Sequence, residues 1–251
     1  MLQSSLNSSS KQPSEHSSRY SGERAPEGSL KHVGLIMDGN RRWARERSLP
    51  VARGHRAGFE RLTELIPCLA QTEVEVLTVY AFSADNWRRR RPEVEQLFSL
   101  ACEGFEKFTP GCVEQGVRVE VIGRRDRLPQ RVLRAAERIT RATARGRRVV
   151  RVALDYSARE SLMNTAVRLT GTVSAENFSR ALNASQHSTG PYHDLDLVIR
   201  TGKEQRLSDF MLWESAYAEL YFPDLYWPDF TPEEFYRALD IYYSRSRRFG
   251  G

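Results

Sequence analysis

The sequence predicts an α/β fold, a single domain with a mainly parallel sheet covered by helices on both faces. Three observations carry this reading. Short apolar runs rich in β-branched residues alternate with longer segments of helical periodicity, the order of βαβ units. The runs are apolar on both sides, as strands are when helices cover both faces of a sheet. Three of them, ending at Asp38, Ser83 and Arg200, finish in polar clusters, and in a parallel sheet such ends share one rim.

Residues 1–30 carry ten serines among prolines and glycines with no apolar periodicity, the composition of a disordered Ser-rich tail. The folded domain is therefore placed at 31–251. Its first strand runs from His32 to a turn at Asp38-Gly39-Asn40, followed by a helix opening on Arg41 and Arg42. Gly54-His55-Arg56-Ala57-Gly58 reads as a helix-entry loop. The helix after it shows Leu62, Leu65, Ile66 and Leu69 on one face. Val74 to Phe82 is a second strand. A helix from Pro92 presents Val94, Leu97, Phe98, Ala101, Cys102, Phe105 and Phe108. Val117 to Ile122 is a third strand, 128–145 a very basic helix, and Arg147 to Tyr156 a fourth strand followed by a helix to about 169. The polar stretch around Ser174, Asn177, Ser185 and Gly190 reads as a surface excursion. Strands at Asp194–Ile199 and Ala218–Phe222 and a helix from Pro232 to Tyr243 close the chain.

At 251 residues the chain is long enough to bury a sizeable core, and 40% hydrophobic with 28% charged residues describe an ordinary globular protein. The net charge is +6, and the lysines are only Lys11, Lys31, Lys107 and Lys203. An arginine-rich chain suits phosphate binding, since the guanidinium meets phosphate through two donors at once; a general bias toward arginine codons accounts for it equally. Cys68, Cys102 and Cys112 have no metal or disulfide spacing and read as core residues in a reducing cytoplasm. No run is long and apolar enough for a membrane span.

Asp38 beside Arg41 and Arg42 is a constellation that a Mg²⁺-diphosphate would fit, with the acid on the metal and the cations on phosphate oxygens. A helix-capping aspartate with solvated arginines is the plainer reading. The cluster from Ile199 through Arg200, Thr201, Gly202, Lys203, Glu204, Gln205, Arg206 and Leu207 to Ser208 holds three cations and a hydroxyl near a turn glycine. Glu219 enters an apolar strand, so it is either salt-bridged to an arginine or, with Asp38, a metal ligand. The Val94–Phe108 face is either core packing or the wall of a tunnel.

His32 to Ala44, Tyr80 to Trp87, Ile199 to Phe210 and Trp213 to Phe222 together closely resemble the cis-prenyltransferases, the undecaprenyl diphosphate synthase-like enzymes. These elongate an allylic diphosphate with isopentenyl diphosphate in Z geometry. The resemblance runs from about residue 31 to the end. It implies a six-stranded sheet ringed by helices around a hydrophobic tunnel, a homodimer, and Mg²⁺ as cofactor. It further implies a cytoplasmic enzyme that touches the membrane transiently to release product. By position, Asp38 matches the aspartate that binds Mg²⁺ and handles the diphosphate. Gly39, Asn40, Arg41, Arg42 and Trp43 match the allylic diphosphate loop, and His55 a histidine bonded to that diphosphate. Ser83, Ala84 and Asp85 match a loop that closes over substrate, with Asn86, Trp87 and Arg89 following. Arg200, Arg206, Leu207 and Ser208 fall on the isopentenyl diphosphate site, and Glu219 on a second metal ligand contributed in the dimer. Arg248 and Gly250 match a C-terminal arm that reaches the neighbouring subunit. Asn86 occupies the position assigned to proton removal, but a neutral amide is a poor base, so orienting the diphosphate is the role expected of it.

The chain departs from the family pattern at Val51, where an arginine is usual and Arg53 is the candidate replacement. Further departures are Asp85, Arg90, Lys203, Asp209 and the stretch Asp155-Tyr156-Ser157-Ala158. They leave the starter and the product length open. Head-to-middle condensation of two allylic diphosphates is the nearest rival activity. A non-catalytic subunit of a heteromeric enzyme is disfavoured because Asp38 and Arg200-Thr201-Gly202 stand. Nucleic acid is not expected as a partner, since the arginines of 131–151 lack interleaved aromatic residues.

Overall fold

In a computed structural model of the chain, the described residues are 29–171, 173–190 and 192–245. The expected tail, up to residue 28, and the arm with Arg248 and Gly250 lie outside them. Leu30, placed in the tail by its composition, is fully buried and belongs to the folded body.

Six strands form one parallel sheet in the order β3-β4-β2-β1-β5-β6. They are β1 (His32–Ile36), β2 (Val76–Ser83), β3 (Val117–Ile122), β4 (Arg148–Tyr156), β5 (Leu197–Arg200) and β6 (Glu219–Tyr221). The helices are α1 (Asn40–Glu46), α2 (Val51–Ala70), α3 (Arg91–Glu114), α4 (Gln130–Ala142), α5 (Ala158–Arg168), α6 (Ala175–Ser185) and α7 (Pro232–Ser244). Every residue of β1 is buried, because the central strand is covered from both sides.

Side chains alternate across the sheet. On one face Val33, Leu35, Leu77, Val79, Val119, Val150 and Ile199 join the core beneath α2, α3, α4 and α7. Tyr156, Val198, Phe210 and Met211 pack on the other face, but its amino half is polar. There Glu120, Arg151 and Thr78 stand side by side on β3, β4 and β2, with His32 beside them. This row explains the stretch read as a surface excursion. It contains α6, started by Ser174, whose hydroxyl accepts from the Asn177 N–H at 3.2 Å. Its polar residues face the row: Asn183 accepts from Arg151, and Ser188, Thr189 and Tyr192 all donate to Glu120. The stretch is thus exposed at Ser174 and Asn177, as expected, while its later residues pair with a polar stripe of the sheet.

A second correction concerns Gly54 to Gly58. These residues are not a loop but lie inside α2, with Gly54, His55 and Gly58 buried. A Cβ on Gly54 would stand 2.1 Å from the Asn40 carbonyl oxygen, and one on Gly58 2.2 Å from Asn40 Oδ1. The glycines allow α1 and α2 to touch and bring the Asp38 turn onto α2.

His32 is fully buried, with Nδ1 2.6 Å from the His193 carbonyl and Nε2 2.8 Å from the Thr78 hydroxyl. Burial, reinforced by Arg151, pulls its imidazole down to about 3. The unfolded chain therefore takes up this proton first, so the contribution is present above about pH 6.5 and is lost as pH falls toward 3. Between pH 6.5 and 5, stability should fall by about 1.4 kcal/mol per unit from this group alone. His32→Gln should flatten that slope in urea titrations; an unchanged slope would disprove the assignment.

Candidate functional site

The three polar strand ends do meet. β2, β1 and β5 are adjacent, and Ile36 pairs with Tyr80 on one side and Arg200 on the other. At this rim a cavity of about 580 Å³ opens, within the range of roughly 300–1,000 Å³ usual for small-molecule clefts.

Arg200 is the organising side chain, 4% exposed at the end of β5. Its Nη2 donates to Asp38 Oδ2 at 2.8 Å, while Nη1 donates to Ser208 Oγ at 2.7 Å and to the Arg206 carbonyl. Arg42 lies 3.3 Å from Asp38 Oδ1 and donates to Glu204 at 2.8 Å; Glu204 also accepts from Arg206. These bonds, that of Arg206 first, draw the Glu204 carboxyl below its usual range. Cations and carboxylates thus alternate around the mouth. Gly202, at φ +88°, closes the ring: a Cβ there would come within 2.9 Å of Asp38 and 3.0 Å of Arg42. Because α1 has only two turns, its dipole adds little to anion attraction, and the guanidiniums supply most of it.

On the opposite lip Glu93 gathers two more arginines and a histidine. Arg89 lies 3.0 Å away, His55 Nε2 3.5 Å and Arg41 3.8 Å. Burial, followed by Arg89, holds the His55 imidazole below its ordinary value, so it is neutral, and its buried Nε2 has no hydrogen-bond partner among the described residues. Glu93 escaped the sequence reading. Its only signal is its position at the start of α3 beside Arg89, Arg90 and Arg91. The turn 84–88 completes the rim. There Asn86 Oδ1 accepts from the Ser83 N–H at 3.2 Å, which leaves its NH₂ group as the free donor.

Behind the rim the cavity is apolar. Phe59 and Leu62 of α2 and Leu97, Phe98, Leu100, Ala101, Phe105 and Phe108 of α3 line it. The stripe on α3 thus serves as both core and tunnel wall, since Phe98 and Phe105 also belong to the main core.

Of the residues singled out in the sequence, Asp38, Gly39, Asn40, Arg41, Arg42, His55, Ser83, Asp85, Asn86, Arg89, Arg200, Arg206 and Ser208 line this cavity. Trp43, Ala84, Trp87 and Leu207 stand behind the wall. Trp43 donates to Asp229 at 2.7 Å, Trp87 donates to Asp155 at 2.9 Å, and Leu207 packs on the second core. Arg53 is exposed and does not line the cavity, whereas Arg45 does. Glu219 begins β6 level with Leu197, toward the amino edge of the sheet, and pairs with Arg245 at 2.8 Å. Within one chain Glu219 and Asp38 do not share a site. Among the described residues no group of three or more His, Cys, Asp or Glu side chains converges on a metal position. The donor set at Asp38 still fits Mg²⁺ of the kind held by one carboxylate plus substrate phosphates and water.

The undecaprenyl diphosphate synthase family of prenyltransferases matches residues 36–250 of the chain. Isoprenyl transferase 1 of Bradyrhizobium diazoefficiens is 44% identical over 223 residues, covering 88% of this chain and 89% of that protein. An isoprenyl transferase of Listeria monocytogenes is 41% identical over 228 residues, covering 88% and 90%. Among solved structures, lavandulyl diphosphate synthase from Lavandula x intermedia, in complex with dimethylallyl diphosphate, superposes with a TM-score of 0.84. The two are 27% identical, over 90% of this chain and 100% of that one. A probable undecaprenyl diphosphate synthase from Campylobacter jejuni gives 0.72 at 28% identity, over 88% and 99%.

Replacing Asp38 by Asn leaves the buried Arg200 guanidinium with neutral partners only. Because Asp38 is itself one-third exposed, the expected loss is about 1–3 kcal/mol, less than for a fully buried pair. Inorganic diphosphate with a chelator present should restore stability to Asp38→Asn more than it stabilises the native chain. Thermal unfolding reads this, and equal shifts in both would refute an anion site at Arg200.

Proposed function

The chain belongs to the undecaprenyl diphosphate synthase family of prenyltransferases, and on that premise we propose that it condenses isopentenyl diphosphate with an allylic prenyl diphosphate to a Z-configured product, in a Mg²⁺-dependent reaction. One observation carries the reading: a single cavity joins a mouth of guanidiniums around Asp38 to an aromatic and aliphatic interior. That shape suits a molecule with a doubly charged head and an isoprenoid tail.

In this reading Arg41, Arg42 and the neutral His55 bind the allylic diphosphate. Arg200, Arg206 and Ser208 hold isopentenyl diphosphate so that its double bond lies against the departing carbon. Asp38 would hold magnesium, which when bound would neutralise charge developing on the leaving diphosphate. The guanidiniums add fixed positive charge at the same place, usually the largest contribution to such a barrier. The free Asn86 NH₂ is a donor, so it orients the diphosphate rather than accepting the proton lost from the new cation. Phe98, Phe105 and Phe108 exclude water that would quench that cation. The reading includes a homodimer, in which a partner chain could bring a Glu219 carboxylate toward this rim.

Head-to-middle condensation of two allylic diphosphates is a second reading. It is favoured by the likeness to the lavandulyl diphosphate synthase structure at a TM-score of 0.84. Labelled isopentenyl diphosphate with allylic starters of increasing length should give products, and Asp38→Ala should lower turnover by about 10²–10³-fold or more. Near-normal turnover in that variant would sink the assignment. Dimethylallyl diphosphate alone should give no product; if it is consumed to a ten-carbon diphosphate, the head-to-middle reading replaces the first.

A further inference from the structure

A second cavity, of about 530 Å³, opens where the loop after β3 (123–126), one side of α5 from its start to Arg168 and the end of α6 meet. It shares no lining residue with the first cavity.

Its acids are already engaged. Asp126 and Glu160 both accept from Arg124, and the fully buried Asp155 accepts two bonds of 2.6 Å from Arg127. Two cations remain. Arg125 makes one long bond, 3.4 Å, to the Val121 carbonyl, and exposed Arg168 has no carboxylate within ion-pair distance among the described residues. His187 lines the same cavity as Arg125 and Arg168, and burial, then the charges of these two guanidiniums, lowers the proton affinity of its imidazole.

Gln186 is the independent observation. It is 2% exposed and lines this cavity, yet neither its Nε2 nor its Oε1 has a hydrogen-bond partner among the described residues. A buried amide left unpaired is costly, so such a group is normally satisfied by whatever enters beside it. The occupant must accept from Nε2 and the guanidiniums and donate to Oε1. A phosphoryl group with one P–OH does both at neutral pH.

We propose that this cavity is a second anion site, separate from the prenyl-transfer rim, that binds a small phosphate-class oxyanion through Arg125, Arg168 and Gln186. The assignment stands whichever prenyl transfer the first cavity performs.

Imidazole ¹H–¹⁵N spectra of the full chain test it, with the His187 signal assigned through His187→Gln. Inorganic phosphate and inorganic diphosphate are titrated separately against sodium chloride of equal ionic strength. The expected result is a saturable shift of the His187 signal with one or both oxyanions. The salt that saturates it at lower concentration tells free phosphate from diphosphate. Arg168→Gln, on an exposed side chain that folding does not need, should weaken the effect about tenfold, as loss of one charge-assisted bond does. Gln186→Leu should weaken it as well while the His55 signal still responds to diphosphate. A His187 shift that chloride reproduces, that never saturates, or that Arg168→Gln leaves unchanged would overturn the proposal.

Discussion

The contact between Arg200 and Asp38 is the constraint on which the rest of the site depends. A guanidinium sealed at the end of a central strand needs an anion, and β1, the neighbouring strand, supplies one two residues past its own end. The same guanidinium ties down Ser208 and the Arg206 carbonyl, so the loop after β5 is positioned by the charge it surrounds. Glu204 then balances Arg42 and Arg206. Carboxylates hold these cations at a spacing that phosphate oxygens can also meet, and a site held ready in this way needs little rearrangement to bind.

The two faces of the sheet divide the work. One face is apolar along its central strands, and where α2 and α3 part it leaves a cavity instead of a filled core. The other carries the row of Glu120, Arg151, Thr78 and His32, matched by α6 and the loop after it. Such a row is safe only if its members are paired, because an unpaired buried polar group is expensive. Glu120 meets that demand through three hydroxyl donors.

The departures from the family pattern have local explanations in the fold. Asp155, at φ 50°, gains Arg127 and the Trp87 indole as partners for its buried carboxylate. Asp209 accepts from the Ser157 hydroxyl and the Arg159 N–H, so its charge lies at the start of α5 where the helix dipole favours it. Lys203 pairs with Asp224 and lies over the Tyr226 ring. Asp85 projects into solvent beside Arg88. Asp85 is the departure that lines the mouth, while Asp38, Arg42, Arg200, Arg206 and Ser208 keep the family pattern.

The strands, their parallel order of connection and the meeting of Asp38, Ser83 and Arg200 at one rim were all legible in the sequence. Each rests on periodicity and chain direction, which are local properties. The family motifs likewise marked most of the cavity wall. Other features depend on neighbours distant in the chain, and local pattern does not encode them. Gly54 and Gly58 look like a loop until Asn40 is seen pressed against them. The polar stretch after 174 is exposed at its start, but nothing in its composition shows that Asn183 and Ser188 pair with Arg151 and Glu120. Glu93 is one acid among many until Arg41, His55 and Arg89 converge on it, and Trp43 and Trp87 belong to binding motifs yet donate to Asp229 and Asp155. Composition and spacing determined which elements form and which chemistry they carry. Only the tertiary structure decided which charges are paired, which aromatic residues line space and which fill it, because burial and pairing are properties of contacts between elements.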